Sequence, residues 1–403
     1  MEFAPQKSEL MHFSRTHAPH SQGVRLADKT VTPVESARFL GVWLDRKLQW
    51  GRHLKEVKQK MATQKYALTK LAASAWGCSF DRARELYTKV IRSAIAYGAS
   101  AWHEPGDKAP KGIARHLAAT QSQCLRIVTG AYKATPIRHL ETEAAIPPID
   151  IYLNKRVAEF EARLDQSGMR QRIQSACAAV ANRLRRQGRR PSRIVSTDLP
   201  RGGAARARWA REWCTEGAVS TPDEAVERDW KRRWERTSAA RRAQEGRNTR
   251  EPAETDPVFR GKQALKRHMG LKKHESSLLT QIRTGKVGLR AFLFQRRVPN
   301  VATPLCRCGN GEETPAHIAV FCPELEEERR ELRAILAPQA LLTTRDFAGA
   351  TGHPARASAM VKWLLATGRF PEYRLARRYA EIQDREDSTA APRELGTAPV
   401  RGQ

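Results

Sequence analysis

Three cysteines and a histidine carry the clearest chemistry in the chain. Cys306, Cys308, His317 and Cys322 are spaced Cys-x-Cys-x8-His-x4-Cys. Thiolate and imidazole are the ligands that zinc takes in closed, four-coordinate structural sites. The close cysteine pair can supply half of such a set, with Gly309 and Gly311 permitting a tight turn. His317 and Cys322, about one helical turn apart, can supply the other half. Thr314 and Pro315 read as the N-cap and first-turn proline of the helix that carries His317. The protein would fill all four positions, so the zinc is expected to be structural and its removal to melt the module. Cys-x-Cys is tighter than the common Cys-x2-Cys. Spacing alone therefore leaves a second reading, three buried cysteines and a histidine satisfied inside a core.

The second chemistry is charge. Lysine and arginine number 72 against 43 aspartate and glutamate in 403 residues, a net charge of +29. An excess of this size says nothing about fold but predicts attraction to polyanions, nucleic acid first, a solvated basic surface or an acidic membrane after it. No apolar run approaches the ~20 residues that span a bilayer, and Met1–Leu10 carries no signal-peptide core. The other four cysteines lie singly, at Cys78, Cys124, Cys177 and Cys214, which suits a reducing compartment and not secretion. Arg183 to Arg193 is a dense basic run, read as a nuclear localisation signal, a phosphate-binding arm (Arg185, Arg186, Arg189, Arg190) or a solvated segment. Trp209 and Trp213 are four apart, as are Trp230 and Trp234. That spacing offers bases a stacking platform or simply docks a helix.

The elements that must position these groups are mostly helical. Phe39 to Leu44 reads as a strand, with Gly41 allowing a bend, and Asp45 to Lys47 as a polar turn. An amphipathic helix follows from about Arg52, with Leu54, Val57, Met61, Leu68, Leu71 and Ala75 on one face. Lysines, Lys55 and Lys58 among them, fill the other faces, and Trp76-Gly77 is expected to end it. Ser79 is expected to cap a second helix whose face is Leu86, Val90, Ala94 and Tyr97, with Ile91 and Ile95 beside it. Further helices are predicted from Ile113 to Val128 and over Ile151 to Leu164, after the Pro147-Pro148 break. Short connections suggest an antiparallel bundle. Ser276-Ser277 reads as a cap for a helix through Leu278, Leu279 and Ile282, and Thr284-Gly285 as a turn.

Several stretches resemble LINE-type (non-LTR) retrotransposon reverse transcriptases of the fungal kind. "FLGVWLD" with the following "LQW" is similar to the primer-grip strand, where palm hands over to thumb. "FAPQKSELMHFSR" is similar to the segment after the catalytic aspartates. "LYTKVIRSAIAYGASAWHEP" and "CLRIVTGAYKATPIRHLETEAAIPPIDIYLNKRVAEFEARL" resemble the thumb, and "CxCG…ETxxH…CP" the terminal Cys-Cys-His-Cys motif. The resemblance covers roughly residues 3 to 168 and the terminal motif.

It implies a primer grip at Phe39, Leu40 and Gly41, and a Lys7 near the incoming nucleotide's phosphates. From sequence alone Lys7 reads first as a surface lysine before a strand. It implies template–primer held by its phosphates, with RNA–DNA or DNA duplex as partner and magnesium used only by the full-length protein. The family's Tyr/Phe-x-Asp-Asp pair, which holds two metals in line, has no counterpart here: no Asp-Asp occurs in the sequence. The chain is therefore expected to be a C-terminal part, lacking the N-terminal polymerase and endonuclease portions and inactive alone. No strand-rich acidic segment suggests RNase H.

The expected fold is mainly α with a small β remnant. A palm edge is expected over 1–50, a thumb-like domain over 51–168 and a basic linker with helical islands over 169–255. A helical zinc-binding domain follows over 256–386, then a disordered tail over 387–403. Two alternatives remain: a non-enzymatic zinc-containing nucleic-acid-binding protein, or a decayed transposon remnant.

Overall fold

The computed structural model describes residues 7–13, 21–26, 29–106, 112–188, 203–217, 219–245, 261–336 and 341–389. Among these residues the fold is mainly helical, with two small antiparallel sheets. The first pairs β1 (Val24–Leu26) with β2 (Lys29–Val31), and the second β3 (Ser36–Phe39) with β4 (Val42–Asp45). Leu10 makes an isolated bridge to Pro33, and residues 14–20 lie outside the described residues.

The single strand expected from Phe39 to Leu44 is instead a hairpin. Leu40 (φ 45°) and Gly41 (φ 83°) both adopt left-handed backbone, the signature of a two-residue turn whose twist matches its strands. A side chain at Gly41 would place its Cβ 2.9 Å from the Tyr97 ring. The Tyr97 hydroxyl donates to the Leu40 carbonyl at 2.8 Å, so the tip is held to the body it faces. Asp45 then turns the chain into α1 (Gly51–Leu71). Its carboxylate accepts from the backbone of Lys47, Gln49 and Trp50.

α1 buries Met61 and Leu68 and stops at Leu71, five residues before the expected end. The backbone folds back there: the Cys78 N–H donates to the Leu71 carbonyl at 2.9 Å. Gly77 (φ 99°) lies so close that a Cβ would be 2.3 Å from that oxygen. Ser79 caps α2 (Phe80–Leu86) as expected. A π-helical turn, Tyr87–Ile91, leads into α3 (Arg92–Ala96) and α4 (Ala99–Trp102). That wide turn moves the buried face to Ala83, Tyr87, Ile91 and Ile95, strictly four apart. Val90, expected inward, is exposed for this reason; Tyr97, also expected inward, is exposed because the helix ends at Ala96 and Tyr97 leaves it in an extended conformation.

α5 (Gly112–Thr129) is the bundle's central helix, packed on α1, on α2, on α6 (Ile137–Ala144) and on α7 (Ile149–Gln166). Leu117, Cys124 and Val128 point inward as expected. The segment after it carries α8 (Met169–Arg186), α9 (Gly203–Thr215) and α10 (Pro222–Glu245). α9 and α10 pack on α7 through Trp213 and Trp230, and the paired Arg233 and Asp150 reinforce the contact at 2.8 and 2.6 Å.

The C-terminal part contains α11 (Lys273–Arg283), α12 (Arg290–Gln295), α13 (Glu326–Leu336), α14 (Thr344–Gly352), α15 (Pro354–Ala366) and α16 (Arg374–Thr389). α16 covers residues 387–389, where a disordered tail was expected to begin; 390–403 lie outside the described residues. α11 begins at Lys273, so Ser276 and Ser277 are interior residues and not caps. Both are fully buried, and their small size lets α11 approach the end of α5. A Cβ on Gly130 would sit 2.0 Å from the Ser277 hydroxyl.

Every residue of α11 is buried, including its polar ones. The Lys273 ammonium donates to the Ile127 and Val128 carbonyls at 3.0 and 2.6 Å, closing the end of α5. Gln281 donates to the Gly130 carbonyl at 2.8 Å. Arg283 meets Glu143 of α6 at 2.9 Å, and Arg267, from the 3-10 helix Gly261–His268, meets the same carboxylate at 3.2 Å. The His268 ring stacks on Phe80 beside them. Burial alone would raise the Glu143 carboxyl, but Arg267 and Arg283 hold it well below the usual carboxylate range.

Glu143→Gln leaves two arginines buried without their counter-ion, and is expected to cost about 3–5 kcal/mol in urea unfolding. The carboxylate's contribution is present at neutral pH and is lost as the pH falls below the ordinary carboxylate range. A wild-type-like unfolding midpoint in the variant would show that the cluster does not join the two halves.

Candidate metal centre and nucleic-acid-facing surface

Cys306 and Cys308 sit on a turn closed by the backbone. The Cys306 N–H donates to the Gly311 carbonyl at 2.8 Å and the Gly309 N–H to the Cys306 carbonyl at 3.0 Å. Gly309 has φ 74°. The Asn310 N–H points at the Cys308 sulfur, 3.5 Å away. Thr314 accepts from the His317 N–H at 3.1 Å, and the helix starts at Pro315, as read from the sequence.

His317 and Cys322 are then brought onto one side by a π-helical turn, His317–Phe321, in which the Cys322 N–H reaches the His317 carbonyl at 2.8 Å. In a plain α-helix residues five apart lie about 140° apart around the axis. The wider turn is what makes a His-x4-Cys pair face one point.

The four ligand atoms all lie within 4.8 Å of one another. Cys306 and Cys322 sulfurs are 3.7 Å apart, and the Cys308 sulfur is 3.3 Å from His317 Nε2. A tetrahedral ion with ~2.3 Å bonds to sulfur sets two sulfurs about 3.8 Å apart, so the cluster could hold one metal ion. Burial pushes the Cys322 thiol up to about 12, so a cation is what would bring its thiolate into play at neutral pH.

Residues outside the motif brace it. Arg329, 1% exposed, donates to the Ile318 carbonyl inside the π turn at 3.3 Å and to the Cys322 carbonyl just after it. Buried Glu313 accepts from the Arg290 N–H at 3.0 Å and from Arg369 at 3.2 Å. Arg369 also reaches Glu324 at 2.6 Å. None of Arg329, Glu313 and Arg369 was singled out from sequence. Only a buried charge could have marked them, and burial is not written in local spacing. Gly311 is tight: a Cβ there would lie 3.1 Å from His317 Nδ1.

The other candidate residues lie apart from this centre, and mostly on the surface. Lys55 and Lys58 are exposed on α1, in a stripe with Tyr66 (62% exposed) and Lys70, whose ammonium lies 4.7 Å from the Tyr66 ring centre. These three lysines make no ion pair among the described residues. Phe39 and Leu40 project from the hairpin tip, 63% and 77% exposed, with Gly41 completing the turn. Lys7 is exposed. Arg185 and Arg186 are exposed in the last turn of α8; Arg189 and Arg190 lie outside the described residues. Among the described residues no helix is long and apolar enough to cross a membrane.

The chain is expected to purify with about one metal ion, and chelator to lower its thermal midpoint. Gly311→Val, which pushes on the His317 ring, should weaken the metal about 10–100-fold in a chelator competition. A metal-free preparation that unfolds identically with and without chelator would rule the centre out.

No family model and no solved structure matches the chain. Among curated proteins it is 24% identical over 311 residues to the retrovirus-related Pol polyprotein from type-1 retrotransposable element R1 4 of Nasonia vitripennis, across 77% of this chain and 66% of that protein. It is 24% identical over 299 residues to the R1 3 counterpart of the same organism, across 73% of this chain and 66% of the relative. It is 23% identical over 180 residues to the RNA-directed DNA polymerase from the mobile element jockey of Drosophila melanogaster, across 44% of this chain and 19% of that protein. The chain thus spans just under two thirds of the R1 relatives it matches and a fifth of the jockey protein. Its homologues are Pol polyproteins and an RNA-directed DNA polymerase of non-LTR retrotransposable elements, related at modest identity over much of its length.

Proposed function

We propose that the chain is the duplex-holding, nucleic-acid-binding C-terminal part of such a polymerase. The observation that carries this reading is the α1 stripe: Lys55, Lys58 and Lys70 with exposed Tyr66, without a carboxylate partner among the described residues, in a chain of net charge +29. Lysines in a row along a helix suit the regularly spaced phosphates of a duplex and position it without reading sequence. Residues 51–168 act as a thumb. The Phe39-Leu40-Gly41 tip, fixed by Tyr97, acts as primer grip beside it.

In this reading the carboxylates that hold catalytic magnesium belong to another part of the full protein, because no adjacent aspartate pair occurs here. Lys7 and the Arg185–Arg186 end of α8 add phosphate contacts, and the basic run of which that end is part directs the protein to the nucleus. The fungal affinity rests on the sequence resemblance. The metal of the Cys306–Cys308–His317–Cys322 centre is zinc in a structural role, since three thiolates and an imidazole leave no position for water or substrate. The rival reading, a stand-alone zinc-containing nucleic-acid-binding protein, shares these contacts and differs in being indifferent to the form of nucleic acid.

The experiment is a salt titration of binding to a labelled RNA–DNA hybrid and to single strand. The triple variant Lys55→Ala, Lys58→Ala, Lys70→Ala is expected to weaken hybrid binding and to reduce the log–log salt slope by roughly three. Hybrid should be preferred to single strand at equal length. An unchanged slope in the triple variant would refute the stripe, and equal affinity for all forms would favour the rival. Metal-dependent primer extension by this chain that Gly41→Glu abolishes would refute the assignment of chemistry elsewhere.

A further inference from the structure

Four tryptophans lie on α9 and α10, and they do not share one role. Trp213, Trp230 and Trp234 are 5–7% exposed and dock the helices. Trp209 is half-buried. One face of its indole stacks on Trp213, centroids 5.4 Å apart at 19°. It lines a cleft of about 740 Å³ between α7, α9 and α10, to which Ile151 and Trp213 also contribute apolar lining.

The charges around this cleft sort into committed and uncommitted groups. Arg233 is held by Asp150, and Arg232 by Glu216 at 2.7 Å. Asp229 accepts from the Trp213 N–H at 2.7 Å and from Arg228 at 2.9 Å. Glu212, Glu235 and Arg236 remain. Glu212 has only Arg208, 3.9 Å away with both side chains 71% exposed; Glu235 and Arg236 have no ion pair among the described residues. The Trp209 N–H likewise has no acceptor among them.

An aromatic face beside two exposed carboxylates, Glu212 only loosely paired with Arg208 and Glu235 without an ion pair among the described residues, and the similarly unpaired Arg236 is a poor seat for a duplex backbone, which the carboxylates repel. It suits one base taken out of a stack: the ring on the indole, base donors on a carboxylate, phosphate on the guanidinium. Guanine fits best, because its Watson–Crick edge offers two adjacent N–H donors to the two oxygens of a carboxylate. We propose that the Trp209 cleft binds an unpaired nucleotide of single-stranded RNA or DNA, guanine in preference to other bases. The site is separate from the α1 stripe and does not depend on it.

The test uses the full chain and labelled heptanucleotides, U3GU3 against U3AU3 and U7, as RNA and as their DNA equivalents, at salt high enough to screen distant phosphates. Wild type should bind the guanine oligomer tightest. Trp209→Ala should weaken it about 5–100-fold, the range for losing one base–aromatic stack, and Trp209→Phe should restore most of that. Glu212→Gln combined with Glu235→Gln should erase the guanine preference and leave U7 binding in place. A 4-thiouridine heptamer should photocrosslink to the peptide containing Trp209.

Should Trp209→Ala loosen α9, the Phe variant, the double Gln variant and the crosslink decide the matter, since they keep the helix docked. Crosslinks confined to other peptides, or a guanine preference that survives the double Gln change, would overturn the proposal. Hybrid binding by the α1 triple-lysine variant is measured in parallel. Its loss with heptamer binding intact, or the reverse, tells the failure of one site from that of the other.

Discussion

A polar helix buried along its whole length constrains the rest of the structure. α11 carries Lys273, His274, Glu275, Gln281 and Arg283 into the interior, where an unmatched charge or donor costs several kcal/mol. Glu275 accepts from the Lys272 N–H in its own first turn, but Lys273, Gln281 and Arg283 find partners in the other half of the molecule. Lys273 closes α5, Gln281 takes the Gly130 carbonyl, and Arg283 with Arg267 neutralises Glu143 of α6. The helical bundle and the metal-bearing part are therefore not beads on a string. Cys306 and Cys322 pack in the same apolar cluster as Leu278, Leu279 and Ile282 of α11, so the metal ligands border the helix that locks the halves together.

Much of this was legible where one residue or a short spacing determines the local geometry. The Cys-x-Cys-x8-His-x4-Cys set, the Thr314–Pro315 helix start, the Ser79 cap and the inward face of α5 all follow from rules acting over a few residues. Reading failed where the backbone leaves the regular period. A π turn at Tyr87–Ile91 moved the buried face off the positions that α-periodicity assigns and left Val90 outside, and the helix ends at Ala96, before Tyr97. Leu40 in a left-handed turn runs against the usual preference for Gly, Asn or Asp there, so a hairpin read as one strand.

The candidate site shows the same division. Its ligands were readable, but the groups that aim them were not. Arg329, Glu313 and Arg369 look like ordinary surface charges in a chain with 72 basic and 43 acidic residues. Only tertiary packing reveals that Arg329 is 1% exposed and donates to the Ile318 and Cys322 carbonyls. The tryptophan pairs were ambiguous for a related reason. Spacing of four puts two indoles on one face, and the neighbouring helix decides which of them remains open. α10 and α7 cover Trp213 and leave Trp209 beside a cleft.

The cluster around Glu143 also sets an order of events. Its partner Arg283 lies 140 positions further along the chain. While the polypeptide emerges from the ribosome, N-terminus first, α6 is made long before either arginine exists. Burying that carboxylate early would be uphill, so closing the bundle over it becomes favourable only once the later helices are there to neutralise it. Long-range closure of this kind slows folding and leaves apolar surface open to chaperones in the interval.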